Sequence, residues 1–290
     1  MNIIKNRKIF YTISLAIIII GLIMMVVKGL NYGIDFTGGT SIQIKIGKMI
    51  TVDEIREIMN EYDNDASIVH VGNNKDEIII KSNKDFDNEE IDLIVDRFVE
   101  KYGIEKKEFQ SEKFVATMGE EIKKKALLSS LIAAVGMLIY ITWRFELRFA
   151  IAAIVALVHD ILITLSIYAI FGIPANNAFI AAILTIIGYS INDTIVIFDR
   201  IREETRLNPR HSLEDLINDS VKKSLTRTIN TSITTLAAVI ILYIVGVEDV
   251  KVLALPLIFG IISGTYSSLF IASPIWYGLK NREGLNTKRA

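Results

Sequence analysis

The chain has no cysteine and only three histidines among its 290 residues. Without thiols it cannot form disulfide bonds, use a thiolate nucleophile or bind a metal through sulfur. The three histidines, His70, His159 and His211, are far apart in the sequence, whereas a metal site needs three or four ligands. The sequence also has no P-loop motif for nucleotide binding and no recognisable nucleophile triad. We therefore expect no metal, no other cofactor and no enzymatic activity.

Charge is missing from several long stretches, because hydrophobic residues make up 51% of the chain and gather in runs. Runs of about twenty apolar residues are long enough to cross the hydrocarbon core of a bilayer. Six such runs predict a polytopic α-helical membrane protein with six transmembrane helices, at residues 9–27, 126–142, 149–171, 178–198, 228–247 and 252–277. The positive-inside rule places Lys5, Arg7 and Lys8, and hence the amino terminus, in the cytoplasm. The first run is too long for a signal peptide, so we expect it to be retained.

The segment between the first and second runs differs from the rest in charge and pattern. Residues 30–125 carry a net charge of -7, whereas the remainder carries +6. Strand-like alternation and helical periodicity follow one another in the order β-α-β-β-α-β, which is the ferredoxin-like motif. The predicted strands are 40–46, 67–71, 77–82 and 107–118, and the predicted helices are 51–62 and 86–102. Residues 31–125 should therefore form an extracytoplasmic α+β ferredoxin-like domain.

The remaining boundaries follow from the six runs. Residues 1–30 should contain the cytoplasmic amino terminus and the first transmembrane helix. Residues 126–280 should form a transmembrane domain of five helices, and 281–290 a basic cytoplasmic tail. The longest inner connection, 199–223, includes a sequence beginning at Ser212 that predicts a short capped helix.

A glycine-rich segment precedes the first predicted strand, with Gly33, Asp35, Gly38 and Gly39. Paired glycines allow backbone conformations that are closed to other residues. A phosphate-binding loop would need a lysine and a following helix, and we expect no helix to start here. The segment therefore predicts a tight structural turn just outside the membrane.

Asn192 and Asp193 lie within the fourth apolar run, where an ionised side chain costs at least about 2.5–3.5 kcal/mol at the bilayer centre. Both should face other helices or a hydrated cavity. Tyr189 lies one helical turn before Asp193 and shares its face. Two interpretations stay open, because such a pair can provide hydrogen bonds for packing or act as a proton or ion relay.

The fifth run begins unusually, because eight of the ten residues from 226 to 235 are polar. A lipid-facing helix would not accept this composition, so Asn230 and Thr231 are expected to line the interior. Arg227 stays charged at any working pH and could be the counter-ion of Asp193. Alternatively, it is a boundary arginine whose side chain reaches lipid phosphate.

His159 and Asp160 interrupt the third run. Asp160 could orient neighbouring helices through buried hydrogen bonds or lie on a proton path, and the sequence does not separate these roles. In the last run, Gly260 and Gly264 predict a surface for close helix packing.

Several motifs, in this order and spacing, resemble the SecD–SecF protein-export family of the resistance-nodulation-division superfamily. The motifs that carry the resemblance are residues 33–40, 156–160, 188–203, 227–232 and 264–268. The resemblance covers nearly the whole chain.

The resemblance implies an auxiliary subunit of the Sec protein translocase in the cytoplasmic membrane. Such a subunit works with SecD beside the SecYEG channel and uses the proton-motive force to draw the translocating polypeptide outward. It also implies that Asp193 and Arg227 take part in proton transfer, and we regard Asp160 as the next candidate. Six spans are half of the twelve-span unit of the family, so a partner subunit is expected within the lipid bilayer. No nucleic acid is expected as a partner.

Two alternatives remain. One is a proton-coupled small-molecule or lipid exporter subunit of the same superfamily, although such exporters usually have larger outer domains. The other is a passive assembly subunit in which Asp193 serves only packing.

Overall fold

The computed structural model describes residues 2–72 and 75–286. The chain divides into two compact units. The smaller one contains Tyr32–Ala126 together with Ala175–Asn177, and the larger one contains the other described residues. The predicted turn at 72–76 and the predicted tail fall partly outside the described residues.

The smaller unit contains a four-stranded antiparallel sheet in the order β2-β3-β1-β4. Its strands are β1 (Gly39–Lys45), β2 (Ser67–Val71), β3 (Glu77–Ser82) and β4 (Phe109–Phe114). The helices are α2 (Ile34–Thr37), α3 (Val52–Met59) and α4 (Asn88–Tyr102), followed by a 3₁₀ turn at Lys106–Glu108. This order of strands and helices confirms the ferredoxin-like prediction.

The core of this unit lies between one face of the sheet and helices α3 and α4. Alternate residues of β1 and β3 are buried, as the strand period of two requires. Both helices begin with a capping box, formed by Thr51 and Glu54 in α3 and by Asp87 and Glu90 in α4. The hydrogen bonds from Thr51 lower the pKa of the exposed Glu54 carboxyl group.

Two expectations for this unit were wrong in detail. The fourth strand ends at Phe114, because a long helix, α5, begins at Ala116 and includes the last residues of the predicted strand. A helix does start in the glycine-rich segment, since Ile34–Thr37 forms a single turn. Gly38 ends that turn with φ of 79°, a conformation that glycine adopts without steric cost.

Within the described residues, six helices are long and apolar enough to cross a membrane, which confirms the predicted number. Five are α1 (Arg7–Lys28), α5 (Ala116–Arg144), α6 (Leu147–Phe171), α7 (Asn177–Leu207) and α8 (Leu213–Val245). The sixth is composite, with α9 (Glu248–Ser267), a π-helical turn (Ser268–Ala272) and α10 (Ser273–Asn286).

The short capped helix predicted at Ser212 is instead the first turn of α8. Ser212 does cap it, since its Oγ accepts a hydrogen bond of 3.1 Å from the Asp215 N–H. The helix then continues to Val245, because no glycine or proline interrupts the sequence between these points.

Small residues allow close contact between the membrane helices. Helix α1 packs on α6, and α9 packs on both α6 and α8. A Cβ atom added at Gly260 would lie 2.2 Å from the Ile186 side chain, and one at Gly264 would lie 2.9 Å from Ser190. The close-packing prediction for these two glycines is therefore confirmed.

Candidate functional site

Asp193 lies on α7 with only 3% of its surface exposed. Ser232 on α8 donates a hydrogen bond of 3.3 Å from Oγ to Asp193 Oδ2. Thr265 on α9 donates in turn to Ser232 Oγ at 2.7 Å. A chain of polar groups therefore joins three membrane helices at this carboxyl group.

Arg227 lies on α8, more than one turn before Ser232, and its side chain is exposed within this chain. Among the described residues, Asp193 accepts its side-chain hydrogen bond from Ser232 and forms no direct ion pair with Arg227. The arginine proposed as a counter-ion therefore does not contact Asp193.

The other predicted polar positions on α7 and α8 divide into two groups. Tyr189 and Thr231 are half-buried, and the Tyr189 hydroxyl donates to the Thr231 carbonyl at 3.3 Å. Asn192 and Asn230 are exposed, so this chain does not provide the interior position expected for them. One residue is about 100° of helix rotation, and Asn192 therefore points away from the contacts that bury Asp193.

Asp160 on α6 is completely buried and accepts hydrogen bonds from three serines on other helices. Ser190 Oγ on α7 is 2.6 Å from Asp160 Oδ2, and Ser267 Oγ on α9 is 2.8 Å from the same atom. Ser263 Oγ on α9 is 2.7 Å from Oδ1. This arrangement provides the acceptor that buried hydroxyl groups need, and it connects α6 with α7 and α9.

His159 extends this network to the first helix. Its Nδ1 lies 3.0 Å from Asp160 Oδ1, and its Nε2 lies 2.8 Å from Ser14 Oγ on α1. Next to the network, Thr194 Oγ1 and Ser268 Oγ are 2.7 Å apart, at the start of the π-helical turn. Within the described part of the chain, no group of three or more histidine or carboxylate side chains could hold a metal ion.

The glycine-rich segment forms a tight loop within the smaller unit. Gly39 has φ of 141°, and a Cβ atom there would lie 2.1 Å from the Ser82 carbonyl oxygen. Asp35 Oδ2 accepts a hydrogen bond of 2.8 Å from the Asn177 N–H, and the Gly33 N–H donates to the Ala175 carbonyl at 2.7 Å. Gly39 and Asp35 are thus fixed by contacts that only these residue types make readily.

Sequence reasoning did not single out the buried charge of Glu204. Glu204 near the end of α7 is 3% exposed, and its Oε1 lies 2.7 Å from Arg200 and 2.6 Å from Lys223 on α8. Asn208 donates to the other oxygen at 3.0 Å. The spacing of four residues between Arg200 and Glu204 was the available signal, because such pairs share one helix face.

Two family descriptions match the chain. Residues 94–282 match the family described as "Protein export membrane protein SecD/SecF, C-terminal". Residues 23–48, which contain the glycine-rich loop, match the "SecD/SecF GG Motif".

Curated relatives and a solved structure agree with these matches. "Protein translocase subunit SecF" of Calditerrivibrio nitroreducens is 41% identical over 95% of this chain and 93% of the relative. "Protein translocase subunit SecDF" of Bacillus subtilis is 36% identical over 96% of this chain, but only 38% of the relative is covered.

The crystal structure of SecDF from Thermus thermophilus, described as a translocon-associated membrane protein, superposes with a TM-score of 0.81 at 31% identity. The match covers 97% of this chain and 39% of that one, so the chain spans about two fifths of the SecDF protein. The family descriptions, the curated relatives and the solved structure agree on one family. It belongs to the SecD/SecF family of protein-export membrane proteins.

Proposed function

We propose that the chain is an auxiliary subunit of the Sec protein translocase, in which a transmembrane carboxylate couples the proton-motive force to polypeptide export. The observation that carries this proposal is Asp193, a buried carboxyl group in a membrane helix with hydrogen-bonded contacts to α8. A charge in that position is costly, and such residues mark proton or ion pathways in membrane proteins. The relatives named as translocase subunits support a transport role.

The proton cycle uses the contacts of Asp193 with α8. Ser232 donates to the ionised carboxylate, and Arg227 on the same helix would supply the opposing positive charge. A shift of α8 relative to α7 removes both interactions and favours the protonated form, because an uncompensated buried charge is unfavourable. Proton uptake and release would then follow helix movement. Asp160 is the second candidate for this path.

A second six-span subunit is the partner that this membrane unit requires. Asn192, Arg227 and Asn230 are exposed on membrane helices, where contact with lipid is unfavourable. In relatives such as SecDF of Bacillus subtilis, the matching part is fused into a chain more than twice as long. A SecD subunit would therefore cover these polar side chains, and the pair would act beside the SecYEG channel.

The sidedness follows from the same proposal. The amino terminus, the 199–223 connection and the tail lie in the cytoplasm, and the ferredoxin-like unit lies outside the cytoplasmic membrane. Residues 1–30, 31–125, 126–280 and 281–290 would then be the functional segments. The lysine and arginine residues in the short inner loops support this orientation.

Secretion of a reporter protein tests the role of Asp193. In cells whose only copy carries Asp193→Asn, we expect secretion to fall at least about tenfold, because the amide cannot bind and release a proton at working pH. Asp199→Asn is the matched control, since Asp199 lies six residues later on α7 with an exposed side chain. Membrane level and co-purification with SecD are measured in parallel.

Normal secretion by the Asp193→Asn variant would contradict a titrating role and leave Asp193 as a packing residue. Reduced secretion together with loss of SecD would instead indicate a defect of assembly. Secretion lost with an intact complex, and retained in the Asp199→Asn control, supports the proposal.

A further inference from the structure

A cavity of about 250 Å³ lies within the larger unit, where the end of α7 meets the starts of α6 and α8 and the last helix, α10. Phe145, Phe149 and Leu213 provide its apolar lining, together with Trp276. Phe149 and Trp276 stack at 4.5 Å between ring centroids with an angle of 14°, which makes this lining rigid and aromatic. The cavity is far along α7 from Asp193, and the residues that contact Asp193 do not line it.

Positive charge surrounds the apolar lining. Arg202, Arg206 and Lys280 line the cavity, against a single carboxylate, Glu146. Lys280 Nζ lies 3.6 Å from Glu146 Oε2, whereas Arg206 is exposed and has no ion pair within the described part of the chain. Arg202 donates to the Arg144 carbonyl at 3.0 Å, and its guanidinium group lies 5.6 Å from the centre of the Phe145 ring. The excess of positive charge favours an anionic ligand.

A second observation also indicates a ligand. Trp276 is 2% exposed, and its Nε1–H has no hydrogen-bond partner in the described structure. A buried donor without an acceptor is unfavourable, and most such groups in native proteins have a partner. Trp276 also lines the cavity, so its unpaired indole lies in the wall of this site.

The neighbouring exposed side chains indicate that this ligand comes from the membrane. Trp143 is 84% exposed next to the cavity residues, and Leu147 and Leu207 are also exposed. Exposed tryptophan between an apolar helix and charged residues is typical of the interface between membrane and water. Basic pockets between transmembrane helices at the cytoplasmic side bind the headgroups of anionic lipids.

We propose that this cavity binds one anionic phospholipid of the inner leaflet. The phosphate would lie between Arg202 and Arg206, and the glycerol region would lie against the aromatic lining that includes Trp276. The acyl chains would extend along the exposed apolar side chains at the helix ends. The proposal depends on the cytoplasmic location of these helix ends but not on the proton cycle.

Tryptophan fluorescence can test the proposal, because the chain has only two tryptophans. The full chain carrying Trp143→Phe is reconstituted in phosphatidylcholine bilayers containing phosphatidylglycerol brominated near the headgroup. The buried Trp276 should be quenched at least twofold more by brominated phosphatidylglycerol than by brominated phosphatidylcholine at the same fraction. Arg202→Gln and Arg206→Gln, each made singly, should both reduce this difference, whereas Arg210→Gln, which loses the same single charge on the neighbouring connection, should preserve it.

Equal quenching by the two brominated lipids would overturn the proposal, as would equal loss in the Arg210→Gln control. Relief of quenching by millimolar inorganic phosphate, at matched ionic strength, would show that the site takes free phosphate. Relief by an acidic peptide would show a protein ligand instead, and either result would also contradict lipid binding.

Discussion

Asp160 is surrounded by more hydrogen-bond donors than the packing of two helices requires. Three serines on α7 and α9 donate to its carboxylate, and His159 connects it to α1. Removing the carboxylate would leave these donors buried without an acceptor. The residue therefore holds four membrane helices in register, whether or not it also transfers protons.

Thermal unfolding of the purified chain can measure this contribution. Asp160→Ala should lower the free energy of unfolding by at least about 2 kcal/mol, because several buried hydroxyls lose their acceptor. Ser166→Ala is the matched control, since the buried Ser166 Oγ has no partner in the described structure, and it should change stability by less than about 0.5 kcal/mol. Similar unfolding temperatures for the two variants would contradict a structural role for Asp160.

At the residue scale, the charged positions could be predicted from the sequence but their partners could not. Asp193, Asp160 and Arg227 stand out because charge is expensive in an apolar run. The serines that surround Asp160 do not stand out, since serine is common where helices pack closely. Only the rotation of each helix decides that Ser190 faces Asp160 while Asn192 faces outward, and helix rotation depends on tertiary contacts.

The start of β1 shows how a single backbone position fixes an element. Gly39 has φ of 141° and lies against the Ser82 carbonyl in the neighbouring strand β3. Gly39→Ala should destabilise the sheet by about 2 kcal/mol or more, because strained backbone alone costs about 1–3 kcal/mol and the added carbon also overlaps the carbonyl.

Gly47→Ala is the control for backbone strain without overlap. Gly47 has φ of 75° but open space around it, so its substitution should cost about 1 kcal/mol. Amide hydrogen exchange of β1 and β3 in the full chain would measure both effects. Equal protection in the two variants would show that the contact with Ser82 is unimportant.

At the element scale, periodicity predicted the ferredoxin-like order, because that order depends on local sequence. It failed at junctions. The strand predicted through residue 118 gives way to α5, and the helix predicted at Ser212 continues through the membrane. In the second case the physical reason is continuity, since no glycine or proline lies between Leu213 and Val245 to stop the helix.

The whole membrane unit exposes polar side chains that the proposed partner would cover. Because the chain lacks cysteine, a single Asn192→Cys variant can report on this surface without further changes. A membrane-soluble maleimide should label it readily when the chain is expressed alone, and at least about fivefold more slowly when SecD is co-expressed. Ile132→Cys is the control, since Ile132 on α5 is 62% exposed and apolar, as expected for contact with lipid.

Equal labelling of Asn192→Cys with and without SecD would place the partner elsewhere. Protection of both cysteines to the same extent would indicate a general effect on the membrane rather than a specific interface.

The uninterrupted course of α7 has a mechanical consequence. No glycine or proline lies between Asp193 and Leu207, so this part of the helix acts as a stiff lever about 20 Å long. A tilt of about ten degrees pivoting near Asp193 would displace Arg206 by about 3 Å, given the rise of each helical residue. A tilt of α7 that changes the surroundings of the carboxylate would therefore also change the width of the basic cavity at the other end. The lipid composition of the inner leaflet would then change the free energy of this tilt. The cell could adjust that free energy without altering the protein.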